Sequence, residues 1–118
     1  MKTLVLGATP NSSRYAYLAA NKLVNAGHEI VNVGIKEGEV AGAKILGGTP
    51  DLTDIDTVTM YVGPRHQPAY VDWLLGLAPR RIVFNPGTEN PEFMRLARER
   101  GIEVVFGCTL VMLASGQY

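Results

Sequence analysis

A polar turn over residues 8–13 separates the apolar run Thr3–Leu6 from a helical pattern. The first amides of a helix lack carbonyl partners and carry the positive end of the helix dipole, and Thr9, Ser12 and Ser13 add hydroxyl donors. Such a turn can hold a phosphate or pyrophosphate group. Ordinary helix capping by Asn11 or Ser12 accounts for the same residue types, so the turn alone leaves both interpretations open.

A basic group follows the next apolar segment, Glu29–Val33, in the sequence Gly34-Ile35-Lys36. In dinucleotide-binding proteins this position carries an acidic residue for the ribose hydroxyl groups, and the first turn carries the glycines of GxGxxG. The chain lacks both. Its second apolar segment ends without an acidic residue, and its first turn contains no glycine after Gly7. A lysine here favours a phosphate group, although a solvated lysine without a specific role is an equal alternative.

Two further residues have side chains that can react. His66 follows an apolar segment and can act as an acid or base near neutral pH, but a lone histidine at a helix start is more often a surface or capping residue. Cys108 stands where a helix dipole would lower the pKa of its thiol, but the sequence places no histidine beside it. A buried, unreactive cysteine is the better interpretation, and we assign no catalytic residue. Two histidines at opposite ends of the predicted sheet also predict no metal site.

Alternating apolar runs and helical patterns predict the elements that position these residues. Parallel strands with right-handed crossovers, beginning at the central strand, predict a three-layer α/β Rossmann-like domain with a five-stranded parallel sheet in the order 3-2-1-4-5. Ligands then bind beyond the carboxyl ends of the strands. We expect residues 34–56 to be mostly loop, with one helical turn near Asp51. The predicted strands cover residues 3–6, 29–33, 57–62, 81–84 and 103–106, and the helices begin near residues 14, 68, 90 and 108.

Composition limits the classes of function. The 118 residues, 47% of them hydrophobic, suit one domain over residues 1–118. The 11 basic and 11 acidic side chains cancel, so no overall positive field attracts nucleic acid. One cysteine, no signal-peptide pattern and only short apolar runs predict a cytoplasmic protein without a membrane span. A homodimer is compatible with this size, but no surface for it is identified.

Three segments, GATPNSSRYAY, VNVGIKEGEVAGAKILGG and NPGTENPEFMRLARERGIEVVFGCTLVML, together resemble the small stand-alone CoA-binding domain family. That family is similar in fold to the CoA-binding domain of succinyl-CoA synthetase α chains, and the resemblance covers essentially the whole chain. It implies a pyrophosphate on the first turn, Lys36 facing the phosphorylated ribose and close backbone approach at Gly34. The family often has Asn-Pro-Lys after the second strand, whereas Gly34-Ile35-Lys36 lacks the proline and keeps the charge. The implied coenzyme A site residues are Gly7, Ala8, Thr9, Asn11, Ser12, Ser13, Arg14, Gly34, Lys36, Pro64, Asn85, Pro86, Gly87 and Glu89.

The sequence therefore leaves three hypotheses about function. The leading one is non-catalytic binding of coenzyme A or an acyl-CoA. The second is a small nucleotide- or acyl-CoA-dependent enzyme with His66 or Cys108 as its reactive group. The third is an interaction module whose crevice is vestigial and filled by side chains.

Overall fold

The computed structural model describes residues 2–118, and in this part of the chain seven strands form one sheet in the order β3-β4-β2-β1-β5-β6-β7. All neighbouring strands pair in parallel except β3 and β4, which form a short antiparallel hairpin. The strands are β1 Lys2–Leu6, β2 Glu29–Val33, β3 Glu39–Val40, β4 Ala43–Leu46, β5 Thr57–Met60, β6 Arg81–Phe84 and β7 Glu103–Phe106.

Helices cover both faces of the sheet, which makes three layers. On one face α1 and α4 contact each other, and Ala16, Ala20 and Leu23 of α1 pack against Val5 of the central strand. On the other face α2 and α3 bury their apolar sides against Leu4, Leu6 and the strands beside them. The predicted three-layer α/β Rossmann-like class is confirmed. The helices are α1 Tyr15–Asn25, α2 Val71–Leu77, α3 Pro91–Glu99 and α4 Thr109–Ala114, with a 3-10 helix over Pro64–Ala69.

The predicted strand count and order are wrong. The segment predicted as the third strand pairs directly with β1, with Thr3 opposite Thr57, instead of lying beyond β2. The position beyond β2 is taken by β4, whose Ile45 pairs with Asn32. The sequence pattern did not predict β4, because this strand is only four residues long and lies among glycines, which are typical of loops.

Helix boundaries differ from expectation in two places and agree in a third. The helical turn expected near Asp51 is absent, since residues 51–56 form neither helix nor strand. The helix expected from Pro68 is divided into the 3-10 helix and α2. The predicted start at Asn90 is confirmed, because its side-chain oxygen accepts from the Phe93 amide at 3.2 Å. Among residues 2–118, no helix combines the length and apolarity that a membrane crossing requires.

Candidate functional site

A cleft of about 930 Å³ lies beyond the carboxyl ends of β1, β2, β5 and β6. This is the edge of the sheet at which open parallel folds bind ligands. The cleft is an open space, so side chains do not fill the crevice as a vestigial site would require. Its walls come from residues 7–11, 14–16, 34–36, 61–63, 66, 69–70 and 86–88.

Two glycines form the floor of the cleft by bringing three strand ends together. The amides of Gly7 and Ala8 both donate to the carbonyl of Val33, at 2.8 and 3.0 Å. A Cβ on Gly34 would lie 2.3 Å from the carbonyl oxygen of Ala8, which is much closer than any van der Waals contact. A Cβ on Gly7, whose φ is +97°, would lie 2.9 Å from the backbone of Tyr61. The packing therefore leaves no room for a side chain at Gly7 or Gly34, and the three strand ends approach one another closely.

The turn between β1 and α1 is held by its own polar groups. The amide of Asn11 donates to the Thr9 hydroxyl at 3.2 Å, while the amide and hydroxyl of Ser13 both donate to the Asn11 side-chain oxygen. Arg14 is the residue before α1, and its side chain makes no capping bond. The first helical amides, at Tyr15 and Ala16, belong to residues that line the cleft. The positive end of the α1 dipole therefore opens into this space.

The charges on the cleft wall have one sign. Arg14 and Lys36 both line the cleft, and among the lining residues that the structure describes there is no aspartate or glutamate. The chain as a whole has a formal net charge of +0. Arg14 and Lys36 therefore give the cleft wall a local positive charge, which favours a polyanionic ligand.

The structure brings most of the predicted site residues together, but not all. Ser12 and Ser13 are exposed on the outside of the turn and do not line the cleft, and Pro64 is the exposed first residue of the 3-10 helix. Asn85 and Glu89 also lie outside the lining. The predicted residues that do line it are Gly7, Ala8, Thr9, Asn11, Arg14, Gly34, Lys36, Pro86 and Gly87.

Asn85 directs its polar atoms into the fold, whereas Glu89 is exposed and bonds to its own loop. The Asn85 amide nitrogen donates to the Thr59 hydroxyl and the Met60 carbonyl, both at 2.8 Å, and its oxygen accepts from the Thr109 amide at 2.8 Å. With a side chain 2% exposed, Asn85 joins β5, β6 and α4 beneath the cleft. A Glu89 carboxylate oxygen accepts from the Gly87 amide at 2.8 Å and so shapes the loop instead of facing the cleft.

Sequence reasoning missed part of the wall. Tyr61 and Val62 were counted as strand, although β5 ends at Met60 and the next residues line the cleft. Ala69 and Tyr70 lie where the 3-10 helix passes into α2, a boundary that the sequence pattern placed differently. The rule that ligands lie beyond strand ends would have found Tyr61 and Val62 if the strand had been ended two residues earlier.

The two residues considered as reactive groups, His66 and Cys108, lie in different parts of the structure. His66 lines the cleft, whereas Cys108 precedes α4 and is not part of the lining. Burial raises the pKa of Tyr61 to about 12. A phenol with this pKa is neutral at physiological pH and is not a general base there.

The chain is similar over nearly its whole length to solved structures. An uncharacterized protein of known crystal structure is 51% identical, with a TM-score of 0.97, and the match covers 99% of this chain and 97% of that one. The cell-free protein ID.343 from Thermus thermophilus is 23% identical with a TM-score of 0.86, over 99% of this chain and 90% of that one, which supports the fold.

A third match is a much larger protein. The dinucleotide-forming acetyl-coenzyme A synthetase 1 of Ca. Korarchaeum cryptofilum, solved with phosphate and ADP, is 19% identical with a TM-score of 0.74. The match covers 90% of this chain but 25% of the synthetase, so it too supports the fold alone. No curated protein matches the chain.

The family comparison covers the residues that build the cleft. The model of the CoA binding domain matches residues 1–114, which include the glycine floor, the turn before α1 and Lys36. With 1–114 matched out of 118 residues, the chain belongs to the CoA binding domain family.

Proposed function

We propose that this protein binds coenzyme A or an acyl-CoA in the cleft and catalyses no reaction there. One observation carries the proposal: Arg14 and Lys36 line the cleft, and the described residues that line it include no aspartate or glutamate. Coenzyme A carries a pyrophosphate and a ribose phosphate, so its charges match such a wall. Membership of the CoA binding domain family supports the same ligand.

The shape of the cleft fits such a molecule. Its volume of about 930 Å³ lies within the range usual for pockets that hold small molecules and cofactors. Gly63 and Gly87 line the cleft, and a Cβ built on either would meet no atom within 4 Å, so the space beside both glycines is open. In the proposed pose the pyrophosphate lies against the turn before α1, and the pantetheine arm runs towards Gly87, past the apolar side chain of Val62.

Calorimetric titration with coenzyme A tests the proposal. Arg14→Gln removes a cation from the pyrophosphate end, and we expect it to weaken binding of coenzyme A and dephospho-CoA alike by about tenfold, the usual size of one charge-assisted contact. Arg98→Gln removes the same charge from an exposed position on α3, and its affinities should equal those of the wild type. Absence of binding at millimolar coenzyme A would refute the proposal.

An enzyme remains the second candidate because His66 lines the cleft. Thiol release from acetyl-CoA, followed spectroscopically, separates the two functions. The non-catalytic proposal predicts the same background rate for the wild type and for His66→Ala. Turnover by the wild type that disappears in His66→Ala would replace binding with catalysis.

A further inference from the structure

Two loops, one after β5 and one after β6, form the wall of the cleft farthest from β2. The first contributes residues 62–63 to the lining and the second contributes residues 86–88. The pairing of β5 with β6 ends at Met60 and Phe84, so the sheet itself does not hold these loops together. In the proposed pose the pantetheine arm of coenzyme A passes along both loops. Their separation therefore decides how well this arm fits.

Gln67 of the 3-10 helix joins the two loops from behind the wall. Its side-chain nitrogen donates to the Val62 carbonyl at 2.9 Å and to the Thr88 carbonyl at 2.7 Å. Its side-chain oxygen accepts from the Asn90 side-chain nitrogen at 3.0 Å. Gln67 is 0% exposed, so these bonds are shielded from water, and both hydrogens of the amide group are used.

The start of α3 fixes the position of Gln67. The side-chain oxygen of Asn90 accepts from the Phe93 amide at 3.2 Å while its nitrogen donates to Gln67. Phe93 is 1% exposed, and its ring lies edge-on to that of Phe84 with the centroids 5.6 Å apart. Gln67 thus connects both loops to a helix that is packed into the core.

The 3-10 helix that carries Gln67 also faces the cleft. His66 and Ala69 line the space and are exposed, whereas Gln67 between them is buried. The helix therefore presents one side to a ligand and holds the wall with the other. Gln67 does not line the cleft, so it acts on a ligand only through the two loops.

We infer that Gln67 is a positioning residue for the pantetheine arm: by holding the carbonyls of Val62 and Thr88, it sets the separation of the loops along which this arm lies. The inference rests on the proposed function and deepens it. Within residues 2–118 the side-chain hydrogen bonds of Gln67 go to Val62, Thr88 and Asn90, and not to the turn before α1 where the pyrophosphate is proposed to lie. Loss of these bonds should therefore weaken the contribution of the arm and leave that of the nucleotide unaffected.

Calorimetry with coenzyme A and with 3′-phosphoadenosine 5′-diphosphate, which is coenzyme A without its pantetheine arm, tests the inference. We expect the wild type to bind coenzyme A about tenfold more tightly than the truncated ligand, because the arm buries apolar groups. Gln67→Met keeps the length of the side chain but removes its hydrogen bonds, and should reduce this ratio to about twofold with the truncated ligand unaffected. Gln117→Met makes the same change at an exposed position outside the cleft and should keep the wild-type ratio.

Asn90→Ser is a milder variant that separates positioning from folding. Serine is also a good residue before a helix and can accept from the Phe93 amide, but its shorter side chain no longer reaches Gln67. We expect a ratio of about fivefold, between the values for the wild type and Gln67→Met, with the truncated ligand unaffected. If Gln67→Met does not fold, the ratio measured for Asn90→Ser decides.

The outcomes separate the inference from the proposed function. Equal wild-type affinities for the two ligands, or a folded Gln67→Met variant that weakens both ligands equally or neither, would overturn the role of Gln67 and leave coenzyme A binding intact. Failure of both ligands to bind the wild type would overturn the proposed function and the inference with it. Thermal unfolding verifies that each variant is folded at the temperature of the titration.

Discussion

Gly34 sets the distance between the end of β2 and the turn that opens the cleft. Its Cα faces the Ala8 carbonyl so closely that a methyl group there would overlap the oxygen, at 2.3 Å. The neighbour is backbone, tied in turn to Val33 through the Ala8 amide, so it cannot rotate away as a flexible side chain could. The shape of the proposed ligand site therefore depends on the absence of one side chain.

Substituting Gly34 tests that dependence. Gly34→Ala should lower the free energy of unfolding by about 2 kcal/mol, the usual cost of forcing an extra carbon into a packed site, and should weaken coenzyme A binding because the turn must move. Gly47→Ala is the matched control, since a Cβ there meets no atom within 4 Å. Denaturant unfolding measures both. Equal stability of the two variants would show that the floor is not as tightly packed as described.

At the residue scale the sequence predicted position better than orientation. Thr9, Arg14 and Lys36 could be placed at the cleft because they follow strands, and the structure has them lining it. Asn85 and Glu89 follow a strand as well, yet their polar atoms bond to neighbouring backbone and hydroxyl groups. Which way a side chain turns depends on partners that are distant in sequence, and a single sequence does not display them.

The hairpin of β3 and β4 depends on one buried amide. Asn32, in the middle of β2, is 0% exposed, and its side-chain nitrogen donates to the carbonyls of Val40 at 3.0 Å and Ala43 at 3.1 Å. These two carbonyls flank the hairpin turn. The connection between the parallel strands β2 and β4 is thus the short strand β3 and its turn, where more regular folds place a crossover helix.

Removing that amide should loosen the hairpin. Asn32→Ala leaves the two carbonyls without this donor, and we expect the free energy of unfolding to fall by about 2–3 kcal/mol. Coenzyme A should also bind more weakly, because the loop carrying Lys36 depends on the hairpin for its position. Asn25→Ala, at the exposed end of α1, is the control. Denaturation curves that coincide for the two variants would contradict this role of Asn32.

Element prediction succeeded where periodicity was strong and failed where it was weak. The strands around Val5, Ile82 and Val104 and the helix after Asn90 were found from apolar runs and a capping pair. The hairpin was missed because its strands of two and four residues lie between glycines. Two of the hydrogen bonds that hold it come from Asn32, a polar residue in the middle of a strand, and no local pattern indicates that contact.

On the scale of the whole molecule, the two ends of the sheet have different roles. The cleft lies at the carboxyl ends of the strands, while Asp56 holds the amino ends of β5 and β6 together. Its carboxylate accepts from the Arg80 guanidinium at 2.9 and 3.1 Å and from the Thr57 hydroxyl at 2.7 Å. The hydrogen bond from Arg80 is the main reason that the pKa of Asp56 lies below 3.8. Stability and ligand binding can therefore be changed separately.

The lowered pKa of Asp56 predicts that the stability of the protein depends on pH. Because the folded pKa of Asp56 is depressed, its contribution is fully present above 3.8 and is lost as the pH falls through the lower folded value. Asp56→Asn should be less stable than the wild type by about 1 kcal/mol at neutral pH, a modest value because the Arg80 side chain is 52% exposed. The difference should shrink on acidification, with coenzyme A affinity unaffected at neutral pH. A stability difference that stays constant down to about pH 2 would contradict the assignment.

The central claim is that coenzyme A occupies the cleft at the carboxyl ends of the strands. Amide chemical shifts recorded during a titration with coenzyme A test it most directly, because they report where the ligand lies as well as whether it binds. Saturable shifts should concentrate on the amides of Ala8, Ala16 and Lys36, with those of Asp56 and Arg80 at the opposite end unchanged. No saturable shift at millimolar coenzyme A, or shifts centred on Asp56 and Arg80, would contradict the account.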